Sequence, residues 1–176
     1  DIRGFGRSHC AKSKFTLYDI ADDIIKLADH LKLTKFVICG MSMGGYIALR
    51  ACLRYRERVC GLILIGSQAE RDNEETVQNY YFLSKSWGDI NIRNNIIEQL
   101  LPIIIGKNER DQDSWRVTWG SYDNEIIKNA MHAMLTRDEI IQQIKHITIP
   151  VLVIHGEQDL GIPVEAAIKL RANLKY

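Results

Sequence analysis

The sequence carries almost no net charge and has no long apolar run. Its 23 lysines and arginines balance 22 aspartates and glutamates, which gives a formal charge of +1 over 176 residues. A balanced composition of this kind does not create the positive field that attracts nucleic acid or an anionic membrane. No apolar stretch approaches the roughly 20 residues that a membrane-spanning helix needs. We therefore expect a globular protein that acts on a small molecule, with no nucleic-acid or membrane partner.

Disulfide and metal-binding patterns are also missing. The 4 cysteines form no C-x-x-C pair and no framework spacing; they are Cys10, Cys39, Cys52 and Cys60. Cys39 and Cys60 lie in apolar, strand-like runs, which predicts buried free thiols in a reducing compartment and hence a cytoplasmic protein. The histidines and carboxylates lack metal-ligand spacing, and there is no phosphate loop or dinucleotide fingerprint. We expect no metal and no other cofactor.

A Gly-x-Ser-x-Gly turn joins a strand-like run to a helix-like segment within residues 37–48. In so sharp a turn Ser42 takes a strained backbone conformation, and its hydroxyl points clear of the sheet. A Cβ at Gly40 or Gly44 is expected to collide where the strand and the helix pass closely. Met43 follows at the helix N-terminus, where its N–H could bind a developing oxyanion. The alternative is a glycine-rich turn with an incidental serine.

The order of predicted elements indicates a parallel sheet with a helical insert. A capping box of Thr16 and Asp19 starts the first helix. Residues 67–147 have helical periodicity, with one short strand signal at 101–105, and Thr136 is predicted to cap a helix. The elements are, in chain order, helix 16–33, strand 35–40, helix 43–55, strand 59–65, helices 91–100, 126–135 and 137–144, strand 151–154 and a helix from Pro163. Strands that alternate with helices in this way predict right-handed crossovers.

Three separated motifs resemble the α/β-hydrolase superfamily. Residues 1–8, Asp-Ile-Arg-Gly-Phe-Gly-Arg-Ser, are similar to the turn after the family's fourth strand. Gly40–Gly44 is similar to the elbow after its fifth strand, and Gly156–Asp159, with Pro163 beyond it, to the acid-bearing loop after its seventh. Within the superfamily, the pattern is most similar to the 3-oxoadipate enol-lactonase-like esterases, which have a serine nucleophile.

The resemblance implies an α/β fold that is a partial α/β-hydrolase. Its parallel sheet would contain strands five to seven of the family, with helices on both faces and a helical cap. We expect a core with the elbow at 1–66, the cap at 67–147, and the acid-bearing strand, loop and helix of the core at 148–176. The upstream strands and the eighth strand of the family are missing, and strand 35–40 would be an unpaired edge. We therefore expect the chain to be an internal piece of a longer protein, which a soluble, monomeric, cooperatively folded 176-residue chain would contradict.

The resemblance also assigns the site. Ser42 would be the nucleophile, Asp159 the acid that orients a histidine, and the Met43 N–H an oxyanion donor. Glu157 is the competing acid. In some relatives the acid follows strand six instead, a place that Gly66-Ser67 occupies here.

The family's catalytic histidine would lie beyond the acid loop, past the last residue of this chain. Its own histidines are each better explained as structural residues; they are His9, His30, His132, His146 and His155. His132 is the least implausible substitute, because the cap overhangs the elbow in the family. His155 ends a strand and is expected to pack or hydrogen-bond locally.

The resemblance predicts a hydrolase of small carboxylic esters or lactones that forms an acyl-enzyme. Trp115 and Trp119 would share one face of a cap helix, and Trp119 is a candidate substrate contact, although packing of the cap onto the core is the favoured explanation. Two other functions stay open. One is a non-catalytic member of the fold that binds a small ligand or a signalling partner. The other is an acyltransferase that passes the acyl group to an alcohol.

Overall fold

The computed structural model describes residues 1–9 and 13–175, so Cys10 lies outside the described residues. The chain divides into two compact units. The helical unit consists of Asp1–Phe15 and Asp72–Thr136, and the sheet unit of Thr16–Arg71 and Arg137–Tyr176. The assignment of core and cap roles to segments of the chain stays a prediction.

Helices and strands alternate in the sheet unit, as the sequence predicts. Its elements are α1 (Leu17–His30), β1 (Phe36–Met41), α2 (Met43–Arg54), β2 (Val59–Ile65), a 3-10 helix (Gln143–His146), β3 (Val151–Ile154) and α7 (Val164–Ala172). The predicted capping box is confirmed at α1: the Thr16 N–H donates to Asp19 Oδ2 at 2.7 Å, and the Asp19 N–H donates to the Thr16 hydroxyl at 3.3 Å. Buried residues then recur along one face of the helix, which packs against α2.

The three strands form one parallel sheet in the order β1-β2-β3. Ile38 and Gly40 of β1 lie level with Leu62 and Leu64 of β2, and these four residues are buried on the side that α2 covers. The α/β fold with a parallel sheet is confirmed. Among the described residues, β1 pairs with β2 alone and is an edge strand, as expected.

The opposite face of the sheet is apolar and open to solvent. Side chains on a strand alternate between its two faces, so the neighbours of the buried residues of β1 point the other way. Val37, Met41, Leu152 and Ile154 are 54, 66, 54 and 45% exposed. The helical cover expected on both faces does not extend over these side chains.

This open face corrects the prediction that Cys39 and Cys60 are buried, because both are exposed. Cys39 alternates with the buried Ile38 and Gly40, so it lies on the open face. Cys60 lies at an irregularity in the pairing, where Phe36 pairs with Val59 and Val37 with Gly61, so it faces no residue of β1.

The helix predicted over residues 137–144 is wrong. Thr136 ends the preceding helix instead of starting a new one: its hydroxyl donates to the His132 carbonyl at 2.8 Å. The next residues are held by side chains and backbone from elsewhere in the sheet unit. Arg50 Nε donates to the Asp138 carboxylate at 3.0 Å, and the Ile140 N–H donates to the Ala69 carbonyl at 3.1 Å. These partners replace the bonds of a helix, and only the short 3-10 helix forms.

The helical unit contains α3 (Glu74–Ser86), α4 (Ile90–Ile104), α5 (Glu109–Gly120) and α6 (Asn124–Leu135). Its core is formed by buried Trp87, Ile97, Leu101 and Ile127. The strand signal at 101–105 is wrong, because α4 continues through Pro102 to Ile104. Helix here carries Leu101 into the core, where it is fully buried, and such packing overrides local preference. Among the described residues, no helix combines the length and the apolar character that crossing a bilayer requires.

Candidate active site

The candidate residues of the sheet unit follow the carboxyl ends of its three strands. Ser42 comes directly after β1, Gly66 and Ser67 come after β2, and the loop from His155 to Ile162 comes after β3. Since the strands are parallel and adjacent, these segments meet at one edge of the sheet. This edge is where open α/β sheets place their ligands.

Ser42 has the strained conformation that the sequence predicts for the turn, with φ 49° and ψ −118°. Left-handed backbone is unfavourable for a residue with a Cβ and persists only where neighbours hold it. Its N–H donates to the Ile65 carbonyl at 2.9 Å, and its carbonyl accepts the Gly45 N–H at 2.9 Å and the Ser67 hydroxyl at 3.2 Å. The Ser42 hydroxyl makes no cap bond to α2, and the residue is exposed. Hydrogen bonds therefore hold the Ser42 backbone in place, and its hydroxyl is free of any capping bond to α2.

The structure corrects one of the two glycine predictions. An ideal Cβ on Gly40 would lie 2.7 Å from the Gly45 nitrogen and closer still to the Gly44 carbonyl, so the predicted collision is present there. A Cβ on Gly44 would meet nothing within 4 Å. The crowded helix position is its neighbour: a Cβ on Gly45 would lie 2.6 Å from the Ser67 Cβ. The helix turns Gly45, not Gly44, toward the end of β2.

Met43 is the first residue of α2. An N–H at this position has no acceptor within the helix, and the helix dipole adds positive potential. It is thus suited to bind an oxyanion that forms beside the Ser42 hydroxyl.

Asp159 is held by the backbone of its own loop. Its Oδ1 accepts the N–H groups of Gly161 at 2.8 Å and Ile162 at 2.9 Å. Its Oδ2 lies 3.5 Å from His155 Nε2 and would lie 3.4 Å from a Cβ on Gly66, so the carboxylate is next to the end of β2. The competing acid, Glu157, is exposed in the same loop. Of the two carboxylates, that of Asp159 is the one with a defined orientation.

His155 makes a local hydrogen bond, as its position at the end of a strand predicts, with Nε2 2.7 Å from the Ile162 carbonyl. His132 is half-buried on α6 of the helical unit. The remaining three are exposed; they are His9, His30 and His146. No group of three or more histidine, cysteine, aspartate or glutamate side chains within residues 1–9 and 13–175 could hold a metal ion.

Trp119 lies on α5, where it is half-buried against the core of the helical unit. Its ring is tilted against that of Trp115 with the centroids 5.8 Å apart, so the two tryptophans do share a helix face. Sequence reasoning missed the polar contact of Ser67, whose hydroxyl donates to the Ser42 carbonyl. The only signal available for it was its position just after the buried strand β2.

The family model described as Serine aminopeptidase, S33, matches residues 1–175. The chain belongs to this family. Its resemblance to esterase-type α/β-hydrolases is confirmed by its relatives. It is 25% identical to the uncharacterized hydrolase YugF of Bacillus subtilis, over 99% of this chain and 67% of that protein. It is 26% identical to 3-oxoadipate enol-lactonase 2 of Acinetobacter baylyi, over 90% of this chain and 60% of the relative.

Among solved structures, the thermophilic esterase of Thermogutta terrifontis superposes with a TM-score of 0.89 at 28% identity, over 99% of this chain and 66% of the esterase. The chain therefore spans between 60 and 67% of the length of these three proteins.

Proposed function

We propose that the whole protein carrying this chain is a serine hydrolase that cleaves carboxylic esters or lactones of small substrates, with Ser42 as nucleophile. The observation that carries the proposal is the conformation of Ser42: a non-glycine residue at φ 49° with an exposed hydroxyl at the carboxyl edge of a parallel sheet. Strain of this kind persists where it serves a site. The names of the relatives, an enol-lactonase and an esterase, support this choice of substrate class.

The mechanism assigns one step to each group. A histidine, which we place in the part of the relatives' length that this chain does not span, accepts the Ser42 proton as the hydroxyl oxygen attacks the carbonyl carbon. Asp159 orients that histidine through Oδ2. The Met43 N–H binds the oxyanion, and one such donor lowers the barrier by about 2.7–4 kcal/mol. The alcohol or enol leaves with the proton, and water releases the acyl group by the same route.

The proposal extends to the helical unit and to the location of the protein. Trp119 is a candidate contact of the acyl group, with packing against the core of the helical unit as the favoured alternative role. The free thiols of Cys39, Cys52 and Cys60 support a cytoplasmic location.

The test is covalent labelling of Ser42 in the whole protein. A fluorophosphonate probe should label the wild type at Ser42, which mass spectrometry of the peptide would show, and hydrolysis of p-nitrophenyl acetate should fall by at least about 10⁴-fold in Ser42→Ala. The matched control is Ser114→Ala, which removes an exposed serine hydroxyl from α5 and should leave both signals intact. A wild type that neither labels nor hydrolyses esters would refute the proposal and favour the non-catalytic, ligand-binding alternative.

Two further substrates separate the related activities. An added acceptor alcohol that diverts the acyl group from water would identify an acyltransferase. An aminoacyl p-nitroanilide tests for amide cleavage, because the same nucleophile serves peptidases and the family is named for an aminopeptidase.

A further inference from the structure

His155 makes a buried polar contact that the proposed mechanism does not use. Its side chain is 4% exposed, and Nε2 lies 2.7 Å from the Ile162 carbonyl oxygen. A carbonyl oxygen only accepts, so Nε2 carries the proton of this hydrogen bond. In the neutral ring, Nδ1 is then an acceptor. Nδ1 is buried and has no hydrogen-bond partner among the described residues.

The Ile162 backbone is held on both sides. Its N–H donates to Asp159 Oδ1 at 2.9 Å, and its carbonyl accepts from His155 Nε2. The Gly161 N–H adds a second bond to the same carboxylate oxygen, and the Asp159 N–H donates to the Gly156 carbonyl at 3.2 Å. These bonds close the loop 155–162 on itself. Asp159 is oriented by Ile162, and Ile162 is in turn anchored by His155.

The two carboxylate oxygens of Asp159 consequently have different surroundings. Oδ1 accepts two backbone N–H groups. Oδ2 lies 3.5 Å from His155 Nε2, but the proton of that nitrogen is directed at the shorter contact with the Ile162 carbonyl. Oδ2 is therefore the oxygen that stays available to another donor.

We propose that His155 is a positioning residue, which anchors Ile162 so that Asp159 presents Oδ2 to the catalytic histidine. The inference rests on the proposed function. A role in packing alone does not account for the ring, because an apolar side chain of similar size would fill the space without burying an unpartnered nitrogen.

Two substitutions of His155 separate anchoring from packing in the whole protein. His155→Leu fills the space without a donor, whereas His155→Gln has a side-chain amide that reaches the position of Nε2 and donates to Ile162. His146→Leu is the matched control, because it removes an exposed imidazole from the same unit.

The readout is the pH profile of p-nitrophenyl acetate hydrolysis. With a misaligned carboxylate, His155→Leu should lose about 10- to 100-fold in kcat with little change in KM. The acid limb of its profile should move to lower pH, because the catalytic imidazolium loses the charge that stabilises it. His155→Gln should recover most of the rate and the position of the limb. A Leu variant with an unmoved acid limb, or a Gln variant no better than Leu, would overturn the inference.

Nuclear magnetic resonance separates failure of this inference from failure of the proposed function. The ring ¹⁵N shifts should show the proton on Nε2, and the Ile162 amide should exchange slowly in the wild type and faster in His155→Leu. A proton on Nδ1 alone would overturn the anchor whether or not the protein is active. A wild type that carries the proton on Nε2 but shows neither labelling of Ser42 nor ester hydrolysis would refute the proposed hydrolase, and with it the catalytic role of the anchor.

Discussion

Alanine at two neighbouring glycines should have different effects on stability. Gly44 and Gly45 both lie in the first turn of α2. An ideal Cβ on Gly45 would lie 2.6 Å from the Ser67 Cβ and 3.3 Å from the Gly40 carbonyl oxygen, whereas one on Gly44 would meet nothing within 4 Å. The gain in helix propensity, up to about 1 kcal/mol, is common to both substitutions. The difference between the two variants therefore isolates the collision.

The size of that difference follows from the contact. Two carbon atoms pack at roughly 3.5–4.0 Å, so the Ser67 Cβ would have to retreat by about 1 Å. Ser67 is 1% exposed and has no solvent to move into. Overpacking of this kind costs about 1–3 kcal/mol, and we expect Gly45→Ala to have a free energy of unfolding lower than that of Gly44→Ala by this amount. Urea denaturation followed by circular dichroism is the appropriate assay, because all three tryptophans lie in the helical unit.

A second substitution checks the cause. Ser67→Gly removes the Cβ that Gly45→Ala would strike. The double variant should therefore lose much less stability than the sum of the losses in the two single variants. Ser67→Ala removes the Ser67 Oγ, which would lie nearer still, but keeps the Cβ at 2.6 Å, so it should restore only a smaller part of the stability. Equal stability of Gly44→Ala and Gly45→Ala, or additive effects in the double variant, would refute the reasoning.

Three further predictions concern the sheet unit. Asp138→Ala leaves the 2%-exposed Arg50 without its carboxylate, and we expect a loss of about 2–4 kcal/mol in urea denaturation, less than for a fully buried pair because Asp138 is 44% exposed. Burial raises the pKa of Asp138, but hydrogen bonds from Tyr18 and Arg50 outweigh it and hold that pKa below its usual range. The stabilisation is thus present above about pH 4 and lost as the pH falls through the folded-state pKa, a loss that Asp138→Asn should not show. Burial raises the pKa of the Cys52 thiol to about 11, so a disulfide reagent at neutral pH should modify the exposed Cys39 at once and Cys52 only after unfolding.

Much of the fold could be predicted because its signals are local. Strands β2 and β3 are short apolar runs, and their bounds match the predicted ones. The helix predicted over residues 137–144 is absent because of contacts with distant parts of the chain. Thr136 is followed three residues later by Glu139, which is the sequence pattern of a capping box. The Thr136 hydroxyl instead donates back to α6, and Arg50 binds the Asp138 carbonyl from a distant part of the chain. A competing partner so far away in sequence leaves no local signal.

For the candidate site too, local sequence signals predict some features and leave out those that depend on distant contacts. The motif nominates Ser42 and Asp159 as candidates, because the proposed chemistry needs those residue types at those strand ends. It does not show which glycine of the turn is indispensable, since that depends on the side of α2 that faces β2. Here Gly45 faces Ser67, and the Ser67 hydroxyl donates to the Ser42 carbonyl. The strained turn is therefore supported by the residue that follows the neighbouring strand β2 as well as by its own glycines. Whether a substitution in the turn is tolerated depends on both of these supports.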